Sequence, residues 1–419
     1  LQIIADDIAK NPDHKWLVLC PLILIENAWL PDAAHFFPEL KVVNLHDRTK
    51  AKRLKKFQQD ANLYVSNIES FVSYREHIDK LNIHGCFVDE SSTMKSSRSK
   101  FGKEAVDYAR TLKRWYLLSG TPAPNGEWEY YRQLQSIDYY GVHQSWTQFK
   151  NYFFDNVSYN PQFEKLQVKS DRKDELLQLL RKYSVYVDKE DVLNTPGRDF
   201  ITVDVTMPKE LTEQYNQLKR ELYLELMEDD ILITAPSAGA KRNKLNQVTS
   251  GFIIDTKSQE THLLSDYRFE VLSKILHNIG DEQVIIWCNY HKEFEVIQGM
   301  LGDKCICVYG KVSIEDKNKN LKNFKEGKVQ YLVANPASAD KGLTLTNARF
   351  AIYFSMNDSL ELFEQSADRI YGDISKQAHR CTYYIIQAKG TVDEVIYQSI
   401  KNKGDVSMAI LTHLKGGIQ

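Results

Sequence analysis

Two carboxylates stand side by side where an apolar run stops, at Asp89-Glu90 in the segment CFVDESSTMKSS, residues 86–97. At a strand tip such a pair suits phosphoryl transfer to water: one carboxylate holds Mg²⁺, and its neighbour orients or deprotonates the attacking water. Taken alone, an Asp-Glu step also reads as a solvated turn after a buried strand. A second apolar run, WYLLSGTPAPNG at 115–126, ends in Ser119-Gly120-Thr121-Pro122. Its small hydroxyl residues can bond the first carboxylates and sense a phosphate, although by themselves they are turn and capping residues. In this order, each closing a buried strand, the two motifs narrow the chemistry far more than either does alone.

Positioning them requires a sheet. KWLVLCPL (15–22) reads as a buried strand stopped by Pro21, and further short strands fall at 41–45, 61–67, 85–90 and 114–120, with helical spacing between them. Apolar strands separated by helices predict a parallel sheet covered on both faces, with ligands at the carboxyl ends of its strands. From 125 to about 265 the texture is aromatic and helical. A strand at 199–207 interrupts it, TAPSAGAKRN (234–243) reads as a loop, and the aromatic stretch 128–140 reads as helix core. Strands return at 283–289, 304–310, 329–335, 348–355 and 381–387. The expected architecture is α/β: one lobe over 1–124, helical insertions and a connector over 125–265, and a second lobe over 266–419, with a cleft between the lobes.

Composition agrees. A chain of 419 residues is too long for one ordinary core, and 42% apolar with 26% charged residues is a globular profile. The formal net charge of −2 requires any nucleic-acid surface to be a local basic patch. The stretches 50–56 and 241–244 are basic and read first as a solvated helix face and a solvated loop. The six cysteines sit in apolar runs without CxxC pairs, which suits buried, reduced thiols in a cytosolic protein. The longest apolar stretch, WLVLCPLILI, is about half the length of a membrane-spanning helix.

The two motifs together resemble motifs II and III of superfamily 2 helicases, especially the Swi/Snf-like branch. LVLCPLILIENAW (17–29) resembles motif Ia and YVSNIESF (64–71) motif Ib. QVIIWCNYHKEFEVI (283–297) is similar to motif IV, the segment 308–348 ends like motif V, and FEQSADRIYG (363–372) resembles motif VI. KRNKLNQVTSGF (241–252) and GTVDEVIY (390–397) are similar to the family's helices before and after the second lobe. The resemblance implies two RecA-like lobes and an ATP-dependent DNA translocase or helicase using ATP and Mg²⁺. It implies DNA, in double-stranded form, as the partner, and the cytoplasm of a bacterial or phage-infected cell as the setting.

By the same resemblance Asp89 holds the metal, Glu90 acts on water, and Gln365 and Arg369 complete catalysis from the second lobe. Ser119, Thr121, Asp340 and Gly342 face the nucleotide, while Pro21, Ser66, Asn67, Thr344 and Thr346 contact the nucleic-acid backbone. Two departures stand out. No GxxxxGK[ST] phosphate loop occurs in residues 1–419. Leu1-Gln2-Ile3-Ile4-Ala5 resembles the start of the helix that follows it, so the loop is expected just before residue 1, and these residues alone are expected not to hydrolyse ATP. The second arginine of motif VI is replaced by Gly372, which leaves Lys376 or Arg380 to serve the γ-phosphate, or Arg369 alone, or a slow turnover without it. Two rival readings stay open. An RNA helicase is weakened by Ser91-Ser92 and by Ser-Gly-Thr-Pro; a non-hydrolysing nucleic-acid binding module draws on Gly372 and the missing loop.

Overall fold

The computed structural model describes residues 1–158, 164–228, 235–255, 258–338, 344–372, 375, 377 and 379–415. The first sheet contains β1 (Trp16–Cys20), β2 (Val42–Asn44), β3 (Leu63–Asn67), β4 (Gly85–Val88) and β5 (Arg114–Leu117), in the order β2-β3-β1-β4-β5. All neighbours run parallel. β1 is apolar along its whole length because both faces are covered, and successive side chains go to opposite sides. Leu17 and Leu19 pack with Phe71, Phe101 and Tyr108 on one face. Trp16, Val18 and Cys20 pack with Ile4, Ile25 and Trp29 on the other. Each such buried large side chain contributes roughly 1.5–3 kcal/mol.

The middle of the chain builds a small hairpin, β6 (Phe154–Asn156) with β7 (Leu166–Val168), among the helices Tyr130–Ile137, Trp146–Phe153 and Lys173–Tyr183. These share a core of Tyr131, Leu134, Phe149, Leu176 and Leu180, so most of the aromatic stretch is packing, as its spacing implies. β8 (Arg198–Val205) follows, then the hairpin of β9 (Phe252–Ile254) and β10 (Thr261–Leu263). The second sheet is completed by β11 (Val284–Trp287), β12 (Cys305–Val308), β13 (Tyr331–Ala334), β14 (Phe350–Tyr353) and β15 (Cys381–Ala388). Its order is β12-β13-β11-β14-β15-β8, all parallel. The first five strands in that list repeat the order of the first sheet. In each lobe the chain winds to one edge and then crosses back, so the switch point lies beside the lobe's opening strand.

The α/β expectation with two parallel, helix-flanked sheets therefore holds, with two corrections. The strand foreseen at 199–207 belongs to the second sheet rather than to the connector, pairing in register from Arg198↔Cys381 to Val205↔Ala388. It is an edge strand with one largely exposed face, so its sequence lacks the continuous apolar run of a central strand. The segment 234–243 lies largely in the helix Ala235–Thr249 rather than in a loop. Its alanines favour helix, and Pro236 stands in the first turn, where a missing N–H costs nothing. The basic residues at 241–244 are therefore helical.

Candidate functional site

β4 ends at Val88 and delivers Asp89 and Glu90 at the carboxyl edge of the first sheet. Its tip is clamped from both sides: Asp89 N donates to Leu19 O (2.8 Å), Leu118 N to Val88 O (2.9 Å) and Ser91 N to Leu118 O (2.8 Å). Glu90 takes φ 54 and ψ 54, the left-handed region. For a residue with a Cβ this costs roughly 1–2 kcal/mol and marks a position held by its surroundings. The Asp89 carboxylate stays within its own lobe, where Oδ2 accepts from Trp29 Nε1 (2.8 Å) and Oδ1 from Glu90 N (3.0 Å). Burial, and then the charge of Asp89, push the neighbouring Cys20 thiol far up. Glu90 instead faces the second lobe, with Oε2 at 3.4 Å from Gln365 Nε2.

The third motif sits beside them. Ser119 Oγ accepts from Thr121 N (3.2 Å), and the buried Thr121 hydroxyl has no hydrogen-bond partner among the described residues. Such an orphan is unusual unless a ligand or water completes it.

Opposite stands the helix Leu360–Ala367, whose first turn is capped by Ser359 Oγ accepting from Leu362 N (3.3 Å). It offers Glu361 to the first lobe, where the carboxylate accepts from Ser92 Oγ (3.1 Å) and from Lys95 Nζ (2.7 Å). One turn on comes Gln365, and just past the helix end comes Arg369, 9% exposed, with its carbonyl fixed by Leu345 N (2.7 Å). Between the lobes lies a cleft of about 310 Å³. Glu90, Gly120 and Thr121 line one side, Thr344, Gln365 and Arg369 the other, joined by Glu364, Asp368 and the connector's Lys189. Burial first, and then the charge of Asp368, push the Glu364 carboxyl up to about 7, against the pull of Arg198. A larger groove of about 1280 Å³ opens between residues 123–128, the β6-β7 hairpin and the helix Val392–Lys415, but it gathers none of the paired acid and base groups found in the cleft.

Of the residues singled out from sequence, Glu90, Thr121, Thr344, Gln365 and Arg369 thus meet in one cleft. Asp89 and Ser119 are attached to its first wall. Thr344, expected at the nucleic acid, lines the same cleft as the residues expected at the nucleotide. Pro21 is half-buried at the tip of β1. Asn67 ends β3, where its Oδ1 lies 3.2 Å from His46 Nδ1. Ser66 is fully buried with its hydroxyl donating to Asn67 O (3.2 Å), so it presents no side chain to the surface. Thr346 is half-buried against Gly372. Asp340, Gly342 and Lys376 lie outside the described residues. Arg380 is not at the cleft: its guanidinium is tied to Asp199 on β8, with Nη2 at 2.7 Å from Oδ1. Sequence reasoning missed the roles of Trp29, Glu361 and Lys189. Trp29 lay inside the quoted stretch 17–29, but nothing local says that its indole reaches Asp89.

Comparison with known proteins gives two family matches, described as SNF2-related domain over residues 3–262 and helicase conserved C-terminal domain over 267–371. Protein p41 of Acyrthosiphon pisum secondary endosymbiont phage 1 is 25% identical over 415 residues, covering 95% of this chain and 88% of that protein. The SWI/SNF-related matrix-associated actin-dependent regulator of chromatin subfamily A-like protein 1 of Drosophila melanogaster is 21% identical over 408 residues. That match covers 93% of this chain but 49% of the regulator, so the chain spans about half of that relative's length. Among solved structures, the Sulfolobus solfataricus SWI2/SNF2 ATPase core in complex with dsDNA aligns over 97% of this chain and 86% of its own. The identity is 18% and the TM-score 0.40.

Proposed function

The chain belongs to the SNF2-related domain family and carries the paired domains of a helicase-like ATPase motor, and we propose that it is an ATP-driven translocase on double-stranded DNA. The observation that carries this reading is the approach of Glu90 and Gln365 to 3.4 Å from opposite lobes, with Arg369 in the same cleft. A nucleotide bound there touches both lobes, so its hydrolysis changes how they are held together.

In the proposed reaction the γ-phosphate of ATP occupies the cleft. The oxygen of a water held by Glu90 bonds to the γ-phosphorus, and the bond from that phosphorus to the β–γ bridging oxygen breaks, leaving its electron pair on ADP. Glu90 takes the water's proton, and Arg369 and Gln365 bear on the transferring group from the second lobe. Asp89 fits a Mg²⁺ ligand: its oxygens are hard donors, and among the described residues each has one hydrogen-bond donor, which leaves a lone pair free. When bound, the ion would neutralise charge on the β- and γ-phosphates. Ser119 and the orphan hydroxyl of Thr121 would sense the phosphate.

DNA contacts are proposed along the carboxyl edges of the sheets, to phosphates rather than bases. The support is local charge. The helix Lys50–Lys56 has no buried residue, and Lys56 Nζ donates to His46 O (2.5 Å), which places the basic helix beside the His46–Asn67 pair. Pro21, Asn67 and Thr346 would follow the backbone, Thr344 would link it to the nucleotide, and Ser66 would act only through its main chain. The phage relative supports a bacterial or phage-infected cell as the setting.

The test is ATP turnover by the full-length protein with duplex DNA, single-stranded DNA and RNA. Duplex DNA is expected to stimulate, and Glu90→Gln to lower the stimulated rate by at least about 10²-fold while nucleotide still binds. Stimulation by RNA alone would establish an RNA helicase. DNA binding with no hydrolysis in the wild type would establish a binding module.

A further inference from the structure

Gly372 stands where the motif VI resemblance places a second arginine, and among the described residues Arg380 is committed elsewhere. A different cation is in place. Lys189 opens the short connector helix Lys189–Val192 and lines the same cleft as Glu90, Thr121 and Arg369. It is brought there by the residue that precedes Gly372. The Tyr371 hydroxyl reaches Glu190 Oε1 (3.0 Å) and Thr195 Oγ1 (2.8 Å), fastening the connector to the second lobe at the point where the arginine is missing.

At rest Lys189 Nζ is 2.6 Å from Asp368 Oδ2. The two side chains are 45% and 41% exposed, and so open an ion pair contributes roughly 0–1 kcal/mol. A phosphoryl group carrying about two negative charges outcompetes one carboxylate for the same ammonium. Asp368 is not stranded by the exchange, because Arg198 Nη1 lies 3.8 Å from its other oxygen. We infer that Lys189 is a catalytic residue of this ATPase, moving from Asp368 onto the non-bridging oxygens of the γ-phosphate and supplying from the connector the charge that position 372 lacks. It forms no covalent bond; the bonds made and broken are those given above, on whose reading this inference rests.

The test is single-turnover hydrolysis by the full-length protein at saturating ATP, Mg²⁺ and duplex DNA. Lys189→Ala is expected to lower the rate by about 10²–10³-fold, somewhat less than a lost arginine finger, with KM for ATP nearly unchanged. Lys189→Arg should keep most of the rate. Adding Gly372→Arg to Lys189→Ala should restore at least about tenfold. Position 372 has no left-handed backbone to forbid a side chain, and among the described residues its Cβ would meet Thr346 Cγ2, at 3.1 Å. Asp368→Asn breaks the same ion pair but keeps the cation, so its rate should fall at least about tenfold less than that of Lys189→Ala. Equal losses in Lys189→Ala and Asp368→Asn would reduce Lys189 to a structural tie and overturn the inference. A Lys189→Ala protein as fast as wild type, alongside an inactive Glu90→Gln, would overturn it while leaving the motor standing. A wild type without DNA-stimulated turnover would overturn both.

Discussion

Asp89 and Glu90 are consecutive, yet one belongs to its own lobe and the other faces the opposite lobe, because Glu90 adopts a left-handed backbone that splays the two carboxylates. The pair was legible in the sequence because it is contiguous and closes an apolar run. Trp29 was not, since its indole reaches Asp89 across 60 residues of chain. A donor that fixes a proposed metal ligand tunes it, and removing such a partner typically costs about 10–100-fold in metal affinity or activity. Trp29→Phe keeps the buried ring and removes the N–H, so a Mg²⁺ titration of the ATPase should shift upward by about tenfold; an unchanged titration would make Trp29 simple packing. Glu364 offers a second test. Its carboxyl, raised to about 7 chiefly by burial and then by Asp368, titrates near 4.5 when unfolded. Between those values the folded chain holds a proton that the unfolded chain has lost. Its contribution to stability is therefore complete below about 4.5 and is lost as pH rises through 7. Glu364→Gln escapes this loss, so its stability relative to wild type should rise by about 2 kcal/mol from pH 4.5 to pH 8 in chemical denaturation, after allowing for partial exposure.

Secondary elements were readable where both faces of a strand are covered, as in β1, β4 and β11, whose every residue is apolar or small and buried. β8 was visible as a strand but not as a member of the second sheet, because its partner β15 follows it by nearly two hundred residues and pairing between distant segments leaves no local pattern. The same distance hides the tie that closes the second lobe. Arg268, on the helix Tyr267–Ile279, is 1% exposed, and its Nη1 lies 2.6 Å from Asp393 Oδ2 on the helix Val392–Lys415. Arg268 Nη2 donates to Ile386 O (2.6 Å), and Asp393 also accepts from Thr249 Oγ1 (2.6 Å) and Ala388 N (3.0 Å). One carboxylate thus joins two helices, the end of β15 and the helix Ala235–Thr249. Breaking a buried pair from one side strands the other charge and costs about 3–5 kcal/mol. Asp393→Ala should therefore destabilise the second lobe by that amount in denaturant unfolding. Replacing both partners by Met and Leu should recover much of it; a loss below about 1 kcal/mol in the single variant would show that water already reaches the pair.

At the scale of the whole molecule the question is which contacts hold the two lobes against each other. Ser92 and Lys95 of the first lobe both bond Glu361 of the second, contacts spanning 269 and 266 residues that no reading of adjacent positions could reveal. Lys95 and Glu361 are 32% and 13% exposed, so the pair is screened on one side and worth more than an open surface bridge. With the Ser92 bond, the latch holds the closed state by about 1–2 kcal/mol, or about 5- to 30-fold in the ratio of closed to open. If duplex DNA also favours closure, the two contributions act on one equilibrium, and the weaker the latch the more the rate depends on DNA. Glu361→Ala should then lower the DNA-free ATPase of the full-length protein by about 5- to 30-fold and the DNA-saturated rate far less, raising the stimulation ratio. Fluorophores on the two lobes should report a longer mean separation without DNA and the wild-type separation with it. The exchanged pair Lys95→Glu with Glu361→Lys should recover part of the DNA-free rate, because it restores the attraction across the cleft while leaving Glu90, Gln365 and Arg369 untouched. Equal losses with and without DNA would place Glu361 in the chemistry rather than in the closure, and an unchanged separation would mean that the lobes are held by contacts other than this one.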